Sequence, residues 1–159
     1  MAAPSGGRRL VRAVAACAVL AVSCGTSDQP PAPAQKNGST QLRHDLEPLT
    51  TRFPSLGAPL GATWLSGTMG DPRVPGPSIY WIDAVVQLPP AQAAALRANF
   101  ALHDSGKRPD LLPELRGTVP AGPLLASDDL DRTWTSGNWG VTVYVDEGSP
   151  TVVITAIGG

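Results

Sequence analysis

Two histidines, each followed by an aspartate, are the first residues that could do chemistry: His44-Asp45 and His103-Asp104. Neutral imidazole and carboxylate are suitable ligands for zinc or iron. Their spacing matches no metal signature. Neighbours on a helix also point about 100° apart, so neither pair chelates as a unit. The expectation is therefore no metal and no cofactor, with His44 on a solvated helix face and His103 at a helix C-terminus, where the dipole favours a cation. A serine hydrolase would need a nucleophile, a base and an oxyanion hole. No Gly-x-Ser-x-Gly elbow is present; Ser66-Gly67 falls in a strand pattern and Ser136-Gly137 at a helix stop. A glycosidase would set two carboxylates across a cleft. Asp83 is the carboxylate of interest, because an Asp in the middle of an apolar strand is unusual. Its structural role would be a solvent-face residue or a hydrogen-bonded partner of Arg73. No glycine-rich phosphate loop occurs, and no residue is assigned as catalytic.

The feature closest to a binding site is the loop Asp71–Pro77 with the aromatics beside it. Prolines lower the freedom a loop loses on meeting a partner, and Arg beside Trp or Tyr is a common recognition pairing. The candidate binding set is Asp71, Arg73, Tyr80, Trp81 and Asp83. The competing reading places the tryptophans in the core, because the chain has only two Phe. Trp81 shares a strand face with Asp83 and Gln87 and is expected to be the least buried of them.

Stepping from residues to elements, Leu42, Leu46, Leu49 and Phe53 recur at spacings of four, three and four and predict a helix over 40–53. Pro48 is awkward inside it. Segments 62–69 and 78–88 predict two strands. In the second, Tyr80, Ile82, Ala84, Val86 and Leu88 form an apolar face, while Ile79, Trp81, Asp83, Val85 and Gln87 form a mixed one. Pro89-Pro90 opens an Ala-rich helix over 91–102. One or two helical turns follow at 109–116. Ser127 is placed as an N-cap, with Asp128, Asp129 and Asp131 in the first turn of another helix. Strands at 139–146 and 151–157 flank a hairpin loop. This order predicts an α+β fold: a single antiparallel four-stranded sheet, made of two strand pairs, with helices packed on one face.

The N-terminal region sets the address. Arg8, Arg9 and Arg12 precede and enter an apolar run to Val22, which is too short for the roughly 20 residues of a bilayer span. Small residues and then Cys24 follow. This arrangement resembles a bacterial lipoprotein signal, with Val22 and Ser23 in the last two positions before the cysteine and Ala21 departing from the usual Leu. The resemblance implies diacylglyceryl attachment to the Cys24 thiol. Ordinary secretion is the alternative, since Ala21-x-Ser23 suits a general signal peptidase, and both enzymes would cut before Cys24. Cys17 would leave with the leader, so an acylated chain would carry no free thiol. The expected organisation is therefore a signal peptide over 1–23, a lipidated Cys with a disordered Pro-rich linker over 24–40, and the globular domain over 41–159.

All thirteen acidic residues follow Cys24 but only nine of the twelve basic ones do, which leaves a mature charge of −4. Without a basic cluster, no nucleic-acid partner is expected and attraction to anionic lipid heads is unsupported. Leader, linker and composition together are similar to those of small lipoproteins of high-GC Gram-positive bacteria, a likeness that implies no particular activity. The expected function is a membrane-anchored extracytoplasmic domain that binds a protein or glycan of the cell envelope. The alternative is an envelope hydrolase using Asp83 or His103.

Overall fold

The computed structural model describes residues 35–70 and 76–159. The leader, Cys24, the linker up to residue 34, and Asp71 and Arg73 lie outside the described residues. In chain order the elements are β1 (Lys36–Gly38), α1 (Glu47–Arg52), a 3-10 turn (Pro54–Leu56), β2 (Gly61–Met69), β3 (Ile79–Gln87), α2 (Pro90–Asn99), β4 (His103–Asp104), α3 (Pro113–Arg116), β5 (Leu124–Ala126), α4 (Asp128–Trp134), β6 (Gly140–Asp146) and β7 (Thr151–Gly158).

The class is α+β, but the sheet has seven strands rather than four, in the order β1-β2-β3-β7-β6-β5-β4, with every pairing antiparallel. The four long strands are the expected ones. The three added strands have two or three residues each, too few for an alternating pattern to register. One of them, β1, lies in the stretch expected to be linker, and β4 holds the His103-Asp104 pair expected at a helix end.

Two predicted helices are shorter than their apolar spacing implied. A proline is tolerated only in the first helical turn. Pro48 therefore fixes α1 to begin at Glu47, and the residues before it run extended beside β2. Arg43 N donates to Trp64 O and Trp64 N to Arg43 O, both at 3.0 Å. At the other end of β3, α2 stops at Asn99 and Phe100 turns extended. Ser127 does sit at the N-cap position of α4 in an extended conformation, yet its side chain makes no capping bond.

Apolar residues cover both faces of the sheet. On the first face, Leu49 and Phe53 around α1, Ala93 and Leu96 of α2, and Leu130 and Trp134 of α4 pack on Trp64, Ala84, Val86, Val143 and Ile154. On the second, Leu115 of α3 and Leu111 just before it pack on Leu65, Trp81, Val85 and Val153. Helices on one face only is thus corrected: α3 lies on the other. The mixed face of β3 read as solvent-exposed because its charge is visible in sequence and its distant covering segment is not.

Asp131 has a specific use. β5 pairs with β6 only at Val145 and Asp146. Beyond that point Asp131 Oδ1 accepts the Val143 N–H at 2.8 Å, which occupies a donor on an otherwise open edge. Burial raises the Asp131 carboxyl above the usual carboxylate range, opposed by that same hydrogen bond.

Candidate functional site

Asp83 sits at the middle of the second face and is fully buried. The register places it in a row with Leu65 of β2, Thr155 of β7 and Thr142 of β6. A carboxylate there requires a cation or a proton. The cation is Lys36 of β1, whose Nζ lies 2.7 Å from Asp83 Oδ2 and also donates to the backbone oxygen of Asp110 at 2.6 Å. Asp83 Oδ1 is left without a hydrogen-bond partner among the described residues. Burial pushes the Asp83 carboxyl up; the hydrogen bond and charge of Lys36 pull it down, and the Asp110 charge adds to the rise.

Trp81 explains how β1 reaches this position. Its indole N–H is shared between Asn37 O and Thr68 O, each at 3.1 Å, and Lys36 Nζ lies 5.5 Å from its ring centroid. The row opposite Trp81 contains Gly67 and Gly38. A Cβ on Gly67 would stand 1.9 Å from Asn37 O, and one on Gly38 would stand 3.2 Å from the Trp81 ring. Two side-chain-free positions therefore let β1 come close and the indole lie against it. The expectation of a partly exposed Trp81 is overturned: it is 0% exposed. Its polar edge is satisfied by backbone, and its neighbours on the β2 and β1 side are glycines. The other three tryptophans are buried as well.

The candidate binding set does not converge. Tyr80 projects from the first face and is exposed, beside a groove of about 240 Å³ bordered by Arg52 and Trp139. Trp81 and Asp83 point the other way into the second core, and Asp71 and Arg73 lie outside the described residues. Asp83 is paired with Lys36, not with the Arg73 that the sequence suggested.

A different cavity opens on the outside of the second face. It has a volume of about 500 Å³ and is lined by Arg108, Asp110, Leu111, Arg116, Val119 and Pro120, among others. Arg108 Nη1 and Nη2 donate to the backbone oxygens of Pro120 and Ala121 at 2.8 and 2.7 Å. Arg116 Nε donates to Leu111 O at 2.8 Å, and its side chain is largely exposed. Asp110 is a weak partner for it, at 3.9 Å from Nη2 and 94% exposed. Both guanidinium groups are thus oriented by backbone carbonyls around an apolar lining. Asp110 also bonds Lys36, so the wall of the cavity is tied to β1 and through it to Asp83. Sequence reading passed over Lys36, Arg108 and Arg116. The one signal was Asp83 itself, an aspartate in the middle of an apolar strand, for which the sequence suggested a solvent face or Arg73 as partner.

The histidines do not meet. His44 Nδ1 lies 3.1 Å from Ala62 O and 3.3 Å from Thr63 Oγ1. Since a carbonyl only accepts, Nδ1 carries the proton and cannot serve as a base for Thr63. His103 belongs to β4 at the far edge of the sheet. Among the described residues, no group of three or more His, Cys, Asp or Glu side chains could hold a metal ion, and no helix is long and apolar enough to cross a membrane. Comparison with known protein families, curated proteins and solved structures finds no match for the chain.

Proposed function

We propose that this chain is a lipid-anchored extracytoplasmic domain that binds a small amphipathic anion of the cell envelope in the cavity between Arg108 and Val119. The observation that carries the reading is the pair of guanidinium groups held in place by backbone carbonyls beside an apolar lining. Guanidinium groups oriented in advance recognise carboxylate or phosphate with little loss of freedom, and the apolar wall accepts a hydrocarbon body. The anchor part of the reading is supported by the Arg-led apolar stretch and the small residues before Cys24. A hydrolase using Asp83 gains no support, because that carboxylate is sealed and ion-paired.

Titration calorimetry of the mature chain with octanoate, octyl phosphate and octyl glucoside tests the cavity. The two anions should saturate a single site and the uncharged glucoside should not. Arg116→Ala should weaken anion binding by about tenfold or more, the size of one lost charge-assisted hydrogen bond, with little change in melting temperature. Equal affinity for all three ligands would discard the guanidinium argument. Mass spectrometry of the mature N-terminus tests the anchor separately: it should show diacylglyceryl on Cys24, and a chain starting at an unmodified Cys24 would mean simple secretion.

A further inference from the structure

Four large hydrophobic side chains stand exposed among the described residues: Leu60, Ile79, Tyr80 and Ile157. Leu60 is isolated. The other three, exposed by 44%, 45% and 46% respectively, collect at one end of the sheet. The register shows this directly. Ile157 is opposite Trp81, Gly158 is opposite Tyr80, and Met69 is opposite Ile79. Ile79 and Ile157 therefore stand on the second face next to half-buried Met69, and Tyr80 stands on the first. Single exposed hydrophobics are ordinary, but three at one end of a sheet, two of them diagonal neighbours on one face, call for an occupant.

The chain itself arrives at the same end. Lys36 is opposite Met69, and the Gly70 N–H donates to Gln35 O at 3.0 Å. Cys24 lies eleven residues upstream of Gln35, a span of at most about 40 Å. An acyl group on Cys24 would thus tether the domain from this end, and not from the β6–β7 turn at the opposite end.

We propose that the sheet end formed by Ile79, Tyr80 and Ile157 rests in the surface of the bilayer that holds the Cys24 acyl chains. This inference rests on the anchor reading above. A short tether raises the local concentration to the order of millimolar, so three side chains suffice where they would not hold an untethered domain. Tyrosine suits the headgroup level, with its ring in the apolar region and its hydroxyl in water. The acidic mature chain offers no attraction to anionic headgroups, so the contact is apolar and insensitive to salt.

The test uses the acylated mature chain in phosphatidylcholine vesicles. With Cys24 acylated, Ser78→Cys supplies a unique thiol beside Ile79, and Glu147→Cys supplies one at the β6–β7 turn. Spin labels at the two positions are compared for collision with oxygen and with a water-soluble nickel chelate. The Ser78 label should be oxygen-accessible and chelate-protected, and the Glu147 label the reverse. Adding Ile79→Ser and Ile157→Ser should return the Ser78 label to water without releasing the protein. Raising the salt to 1 M should change neither label. Equal chelate access at both positions, on a chain whose acyl mass is confirmed, overturns the docking and leaves the anchor standing. A chain without acyl mass that fails to float with vesicles overturns the anchor, and the docking with it.

Discussion

The first face of the sheet is closed by α1, α2 and α4, whose apolar residues dock on long strands. The second is closed by α3, an irregular segment, and the side chain of Lys36 reaching in from an edge strand. Among the described residues, twenty buried apolar residues form the first core and seven the second. Both contain tryptophan indoles, with the Trp64 N–H of the larger core bonded to Asp45 O. Only the smaller one has a carboxylate and an ammonium group against it, and its outer wall carries the arginine-lined cavity. The difference teaches a division of labour. Regular helix-on-sheet packing supplies most of the stability, and the irregular cover supplies groups that can meet a ligand.

Substitutions on the two faces should therefore differ in kind. Ile154→Ala, at the centre of the first core, should cost about 3–4 kcal/mol in urea denaturation while leaving octyl phosphate affinity unchanged in the molecules that remain folded. A comparable loss of affinity at that site would dissolve the distinction between the faces. Lys36→Met leaves Asp83 buried without its cation and should cost about 3 kcal/mol. Adding Asp83→Leu should recover most of that loss, because two apolar groups need no pairing. If the double variant were as unstable as the single one, the Lys36 stem and not its charge would be what matters.

Gly67→Ala comes next. Its Cβ would collide with Asn37 O, so β1 must shift, at a cost of about 2 kcal/mol. Hydrogen exchange should quicken in β1 and along its partner stretch of β2, and stay slow in β6 and β7. Uniform quickening would mean that β1 is not a separable unit.

The smallest effect is one of pH. Burial raises the Asp83 and Asp131 carboxyls in the folded chain above the ordinary value of 3.8. Between that value and the raised one, the folded chain holds protons that the unfolded chain has released, so stability falls as pH rises through this window and levels off above it. Asp45 shifts the other way, held down by Arg43, but this pair is exposed and screened. Melting temperature should therefore rise modestly on mild acidification from neutral pH, and Asp83→Asn should flatten the rise. A melting temperature that falls steadily over the same range in the parent chain would contradict the assigned direction.

The same contrast explains what could be read from sequence. β2, β3, β6 and β7 are long enough for alternation to register, and Pro89-Pro90 with five alanines over 91–98 announces α2. β1, β4 and β5 were not legible, because two or three residues carry no period. The predicted helix 40–53 begins too early because Leu42 and Leu46 keep helical spacing, while Arg43 between them bridges to Trp64 of β2 and α1 starts only at Glu47. At the candidate site, Asp83 stood out, but its partner lies forty-seven residues away in a stretch whose composition suggests a linker. Only the register of β1 on β2, permitted by Gly38 and Gly67, brings Lys36 to it. The cavity arginines were silent for a related reason: their orientation comes from backbone carbonyls, which every sequence has.

The strand order has a temporal consequence. β7 lies between β3 and β6, and among the described residues no other strand joins β1–β2–β3 to β6–β5–β4. A chain emerging from N- to C-terminus therefore holds two separate half-sheets, each with an open inner edge, until residues 151–158 arrive. Pairing of β3 with β7 closes loops of sixty-four residues and more, a slow step compared with hairpin formation. The final strand acts as a keystone. Until it is inserted, the inner edges of β3 and β6 have no strand between them, and its insertion joins the two half-sheets at their centre.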